Sequence, residues 1–436
     1  MNSGEAQQYD SGKHKVEDRG FSRYRQQSSL FCTRWSSMSI EEIFERYVES
    51  RIFKDREKLL PDYVPEELPH RDEQILRLAS ILAPALRGSR PSNVFIYGLT
   101  GTGKTAVTKY VLRKMKEKAP QAVEHAYINC RQNNTSYRVL AELAKHVGVK
   151  IPFTGLALGE VMKRLLQGLE RRRYVLIVVL DEIDNLVKRQ GDDVLYFLTR
   201  VNENLSNSKV SLIGITNDLK FTEFLDARVK SSLGEEELVF PPYNAMQLED
   251  ILRRRAREAL HEGVVDDEVL RRVAAIAARQ NSDCRLALDI LLKAADIADR
   301  EGASKITLEH VEKARNEIEK NLAVDIIKTM PLHVKLVLAS IYLLSRRDGV
   351  RMITTGLIYD KYKELVNRVG IEPVTSRRVS DIINELDVVG IINAKVISLG
   401  RYGRTKVVSL GVPTRNVEEG LMSDLILRSL IESAED

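Results

Sequence analysis

The stretch with the most explicit chemistry is Gly-Leu-Thr-Gly-Thr-Gly-Lys-Thr at 98–105. Gly98, Gly101 and Gly103 allow backbone conformations that a Cβ obstructs, so successive N–H groups can turn inward onto one anion. Thr100, Thr102 and Ala106 lie along the same cradle, Lys104 is placed to reach β- and γ-phosphates, and the Thr105 hydroxyl can ligate Mg²⁺. A phosphate cradle of this kind needs a strand before it and a helix after it, the helix N-terminus adding its positive dipole end. The apolar run at 94–97 reads as the strand. Val107, Val111, Leu112 and Met115 fall at helical spacing over 106–118. A glycine-rich turn with a surface lysine would not require those flanks.

Three further positions fit the same chemistry. Asp181 and Glu182 close the most continuous β-branched run in the chain, 174–180. Ligands bind at the carboxyl ends of strands in open α/β sheets. There the first carboxylate can hold Mg²⁺, and the second can orient and deprotonate an attacking water. Asn217 ends the run 210–215, where it can position that water or simply form a turn before Asp218. Arg285 follows Ser282-Asp283, a plausible helix N-cap. A first-turn arginine is badly placed for its own helix dipole, so an anion reached from that helix would explain it; an ordinary surface arginine is the alternative. Arg228, in the basic loop 225–233, reads equally as a solvated residue or as an arginine finger offered to a neighbouring subunit.

The elements that position these residues follow from periodicity. Strands at 94–97, 126–130, 174–180, 210–215 and 237–240 alternate with helical segments, which predicts a parallel sheet with right-handed crossovers. From 245 to 319 the strands stop and helices recur at 248–260, 268–279 and 285–298, with a short one after Thr307. The bridge 322–329 leads to a third unit of helices at 332–344, 357–369 and 376–389, followed by a hairpin, 394–399 and 405–410. The last of these helices carries Arg377 and Arg378 at its N-terminal end, where a recognition helix meets bases or phosphates. The hairpin tip brings Arg401, Tyr402, Gly403 and Arg404, the chemistry of a wing entering a minor groove. Together they favour duplex DNA over a protein-docking module.

Composition sets the bounds. At 436 residues the chain exceeds one ordinary domain, and 43% hydrophobic content is enough for real cores. A net charge of +5 is too mild to argue for nucleic acid without local clustering. Cys32, Cys130 and Cys284 match no zinc spacing, and a reduced cytoplasmic compartment is the expectation. No apolar run reaches the ~18 residues that a membrane span needs. Residues 1–37 read as a disordered tail; a helical pattern over 40–48 follows, with Met38 at its head as a candidate start. The prolines of 61–71 enforce an extended segment, either a linker or a strap around the base of a nucleotide.

With these residues in place, the chain resembles the archaeal origin-initiator family, AAA+ proteins related to eukaryotic origin recognition complex subunit one and cell-division-control protein six. The resemblance runs from about 44 to 410. It rests on Tyr-Val-Pro-Glu-Glu-Leu-Pro-His-Arg at 63–71, the phosphate cradle, Asp181-Glu182, Asn217, the Arg228 motif and Arg285. It implies an α/β P-loop AAA+ domain over 38–243, an all-α lid over 244–321, a winged-helix domain over 322–415 and a tail over 416–436. It implies ATP or ADP with Mg²⁺, Val64, Pro65 and His70 at the adenine, Asn217 as first sensor and Arg285 as second. It also implies an initiator-specific helical insertion between Cys130 and Arg171, slow switch-like hydrolysis, double-stranded origin DNA and the MCM helicase as partners, and paralogous initiators as further ones. Ala227 stands where the family commonly has proline, and Ser282 where it commonly has glycine. From the residues alone, an ATP-gated transcription regulator and a signalling or chaperone ATPase with a protein-docking winged helix stay open.

Overall fold

The computed structural model describes residues 50–152, 154–218, 220–233, 235–347, 352–398 and 404–435. The expected tail 1–37 and helix 40–48 lie outside them, as does the hairpin tip 399–403 with Arg401, Tyr402 and Gly403.

Five parallel strands form the first sheet: β1 (Val94–Tyr97), β2 (Val123–Asn129), β3 (Val175–Asp181), β4 (Lys209–Thr216) and β5 (Glu236–Val239). Their order is β2-β3-β4-β1-β5. Every residue of β3 is buried, as expected for a strand apolar on both faces in mid-sheet. One face is covered by α1 (Asp72–Leu82) and α2 (Lys104–Lys118), whose Leu78, Leu82, Val107 and Val111 pack on Ile177 and Val179. The other face is covered by α3 (Ser136–His146), α4 (Leu158–Leu169), α5 (Ile183–Gln190), α6 (Asp193–Arg200) and α7 (Ala227–Leu233). Because β3, β4 and β1 are neighbours and run the same way, Asp181, Asn217 and the phosphate cradle leave the sheet at one edge.

Four helices follow, α8 (Ala245–Ala259), α9 (Asp267–Arg279), α10 (Cys284–Glu301) and α11 (Leu308–Thr329). Their core also takes in Ile52 and Leu59, both fully buried. Arg56 forms a 2.8 Å ion pair with Asp296 of α10. The segment 50–60, assigned from sequence to the sheet domain, therefore packs with the lid. The short helix expected after Thr307 is a continuous α11 of 22 residues that crosses the expected boundary at 321.

The last unit comprises α12 (Leu332–Arg346), β6 (Ile353–Thr354), α13 (Thr355–Val369), α14 (Ser376–Val388), β7 (Ile392–Ser398) and β8 (Arg404–Leu410), with an antiparallel sheet in the order β6-β8-β7. The expected tail 416–436 is instead largely α15 (Thr414–Met422) and α16 (Leu425–Glu435). Val417, Leu421, Leu427 and Ile431 complete the core of this unit. A Cβ on Gly420 would stand 2.8 Å from Ile327 of α11, so α15 seats directly on the connecting helix.

Candidate functional site

A cleft of about 870 Å³ opens between the strand ends and the lid. Thr100, Gly101, Thr102, Gly103, Lys104, Thr105 and Ala106 line it, and Asp181, Glu182, Asn217 and Arg285 face the same space. Gly101 and Gly103 take φ of +72° and +88°, conformations that L side chains adopt only with strain. Gly98 lies beneath the cradle and does not line the cleft; its carbonyl accepts a 2.7 Å bond from Lys104 Nζ. The ammonium also donates to Leu99 O at 2.7 Å and to Asn217 Oδ1 at 2.8 Å. It is thus ringed by neutral oxygens that phosphate oxygens can replace. Burial pulls its pKa down to about 8, against a counter-pull from Asp181.

Asp181 is the most tightly held carboxylate here. Its Oδ2 accepts from Thr105 Oγ1 at 2.8 Å and from the Tyr127 hydroxyl, and its Oδ1 from the Glu182 N–H at 2.9 Å. Thr105 and Asp181 offer a hard oxygen donor pair that suits Mg²⁺. Glu182 sits at φ +54°, and its Oε2 is buried with no hydrogen-bond partner among the described residues. Such a carboxylate oxygen fits a water-activating role better than a structural one. Tyr127 has no local sequence signature. Burial and the facing Asp181 push its phenol far above the ordinary value.

The strap 61–69 walls the far end of the cleft, where Val64, Pro65 and Leu68 join Tyr243, Ile251 and Leu288 in an apolar slot suited to a flat base. Two buried arginines tie the strap down, and among the described residues neither uses a carboxylate. Arg255 of α8 donates to Leu60 O at 2.8 Å and lies 4.8 Å over the Tyr63 ring. Arg71 donates to Thr102 O at 2.9 Å and to Pro241 O at 2.6 Å, and it stacks 3.8 Å from the Tyr243 ring centroid. One clamp holds the strap to the lid and the other joins the strap to the phosphate cradle. Their partners are main-chain carbonyls distant in sequence, so no motif announces them.

Besides Gly98, two sequence candidates fall outside the cleft. His70 turns to Asp250 of α8, Nε2 to Oδ2 3.0 Å, and is absent from the cleft wall because its backbone (φ +63°) has already left the strap. Arg228 is 65% exposed, pairs with Asp226 at 3.0 Å and lies 5.2 Å over the Tyr196 ring, away from its own chain's cleft. Arg285 does reach the cleft. It is exposed, without a hydrogen-bond or ion-pair partner among the described residues for its guanidinium, and the Asp283 carboxylate caps its main-chain N–H at 2.8 Å.

In the C-terminal unit Thr375 caps α14. Arg377 and Arg378 are exposed at its start, the latter paired to Glu385 at 2.7 Å. On β8, Lys406 donates to Asn384 of α14. Arg404 begins β8, which places it beside the tip.

This fold and this cleft define an AAA+ P-loop protein with a helical lid and a C-terminal winged helix. Residues 87–221 match the AAA domain family, 249–316 the Cdc6 AAA+ ATPase-type lid domain, and 325–420 the CDC6 C-terminal winged-helix domain. The ORC1-type DNA replication protein 1 of Sulfurisphaera tokodaii is 55% identical over 87% of this chain and 96% of its own. That of Aeropyrum pernix is 52% identical over 90% and 100%. Among solved structures, the Aeropyrum pernix ORC1 protein in complex with DNA superposes with a TM-score of 0.77 at 52% identity, covering 87% of this chain and 99% of that one. Cdc6p from Pyrobaculum aerophilum gives 0.56 at 26% identity over 88% and 99%. The chain belongs to the ORC1-type DNA replication protein family. No helix among the described residues is long and apolar enough to cross a membrane.

Proposed function

We propose that this chain is an ATP-binding initiator of DNA replication that reads duplex DNA at origins, associates with the nucleoid in the cytoplasm, and helps to recruit the MCM helicase, alongside paralogous initiators. The observation that carries the reading is one cleft in which a phosphate cradle, an acidic pair, Asn217 and a lid arginine meet. That cleft belongs to a chain whose 52%-identical relative was solved in complex with DNA.

In this reading the main-chain amides of 100–106 and Lys104 grip the phosphates, and Val64 and Pro65 sandwich the adenine. Thr105 and Asp181 hold Mg²⁺, which when bound neutralises charge on the β- and γ-phosphate oxygens. Glu182 takes the proton of the attacking water while Asn217 orients it. Arg285 senses the γ-phosphate from the lid, so nucleotide state sets the angle between lid and sheet. Hydrolysis is slow and serves as a switch. Arg228, outside its own cleft, acts only on a nucleotide bound by a neighbouring subunit. Arg377, Arg378, Arg401, Tyr402, Gly403 and Arg404 meet the duplex, with helices of the 130–171 insertion gripping alongside.

Genome-wide footprinting of the ATP-loaded protein tests this. Occupancy concentrated at replication origins is expected. Occupancy confined to promoters would make the chain an ATP-gated transcription regulator, and no duplex affinity at all would leave a protein-docking winged helix; either result overturns the proposal.

A further inference from the structure

β2 and β3 pair in parallel with Tyr127 opposite Val179 and Asn129 opposite Asp181. Val179 and Asp181 are two positions apart, so they project from one face, and so does Tyr127. Tyr127 therefore starts about 6.6 Å short of Asp181 along the sheet, a gap that an extended tyrosine side chain can span. Its hydroxyl donates to Asp181 Oδ2, the oxygen that also accepts from Thr105 Oγ1 at 2.8 Å. From the other side Lys109 of α2 stands 4.8 Å over the ring, fixing it between the cradle helix and the strand. The Glu182 N–H holds the second carboxylate oxygen at 2.9 Å. Without Tyr127, the only side-chain donor left on Asp181 among the described residues would be the Thr105 hydroxyl.

We infer that Tyr127 is a positioning residue for the divalent cation that accompanies the nucleotide, acting through Asp181. This rests on the nucleotide-binding reading above. The donated hydrogen bond fixes the Asp181 carboxylate in the orientation that faces Thr105, so the two oxygens of the donor pair are presented together before any cation arrives. Partners of this kind, one bond removed from the ligands, commonly carry about 10–100-fold of metal affinity. A phenylalanine keeps the ring packing and the Lys109 contact while deleting only the donor.

The experiment is ADP titration of the full chain and of its Tyr127→Phe variant, in EDTA and across a MgCl₂ series, with melting temperature recorded alongside. The expected result has three parts: EDTA affinities within about two-fold of each other, unchanged melting temperature, and a rise of about ten-fold in the Mg²⁺ concentration giving half of the Mg²⁺-dependent gain. Equal Mg²⁺ demand in the two proteins overturns the inference. So does an equal loss of ADP affinity with and without Mg²⁺, which marks a packing role. A wild-type chain that binds no ADP in either buffer overturns the nucleotide reading itself, and is distinguishable from both.

Discussion

Gly101 of the phosphate cradle and Asp283 at the cap of lid helix α10 are in direct contact: a Cβ built on Gly101 would stand 1.8 Å from Asp283 Oδ1. The Cys284 N–H donates to Gly101 O at 3.3 Å, so the start of α10 rests on the cradle, and Arg285 is delivered from that point of contact. The φ of +72° at Gly101 adds about 1–2 kcal/mol of strain for any other residue.

Gly101→Ala should therefore push the lid off the cradle. Because the added methyl would also meet the Cys284 main-chain nitrogen at 2.8 Å, turning the Asp283 side chain away does not relieve it. Fluorescent-ADP titration should show at least about a ten-fold loss of affinity, equivalent to ~1.4 kcal/mol. Unchanged affinity would mean that the lid contact plays no part in binding.

Arg71→Ala leaves three carbonyls, those of His70, Thr102 and Pro241, without their donor. Only the Thr102 carbonyl bond is buried, so at about 1–3 kcal/mol for a buried group left unpaired, local stability should fall by roughly 2 kcal/mol. Hydrogen exchange should then quicken over 61–71 and 98–105 but not in the winged helix. Arg71→Lys should recover less than half of the loss, since an ammonium cannot reproduce the guanidinium fork.

Lys104 sets a pH dependence. In the free chain its pKa is about 8, chiefly from burial, against an ordinary 10.5. Bound phosphates restore the charged form, so binding should take up a proton between about pH 8 and 10.5, and ADP affinity should fall as pH rises through that window and stay flat below it. For the unliganded chain the sign reverses. Unfolded lysine holds its proton to higher pH, so the burial penalty is complete below about pH 8 and lifts above it. Calorimetry in buffers of different ionisation enthalpy reads the uptake directly; observed heats at about pH 9 that do not change with buffer ionisation enthalpy would contradict it.

On the winged helix, Arg377→Ala should lower duplex affinity and reduce the magnitude of the log–log salt slope by about 0.9 if it meets one phosphate. Arg378 is held by Glu385, so Glu385→Gln should free it and tighten binding. A salt slope unmoved by Arg377→Ala would remove that residue from the interface.

The cradle, the acidic pair and the three-unit plan were legible because each is written in local spacing: glycines before a helix, carboxylates after a buried strand, helices without strands. What escaped the sequence depends on partners far along the chain. Tyr127 acquires its place only through the β2–β3 register. Arg71 and Arg255 bond to main-chain carbonyls, which leave no trace in side-chain identity. Ile52 and Leu59 join the lid across some 200 residues of intervening chain, and α15 and α16 looked like a tail because their apolar stripes are short until set against α11 and α12.

In the proposed function a nucleotide lies between sheet and lid, its phosphates in the cradle and its base against the strap. Hydrogen–deuterium exchange of the full chain with and without ADP and Mg²⁺ tests it most directly. Slowed exchange is expected at 61–69, 100–106 and 283–288 together, all lost in Lys104→Ala at the same ADP concentration. Protection confined to other segments, or persisting unchanged in that variant, would contradict it.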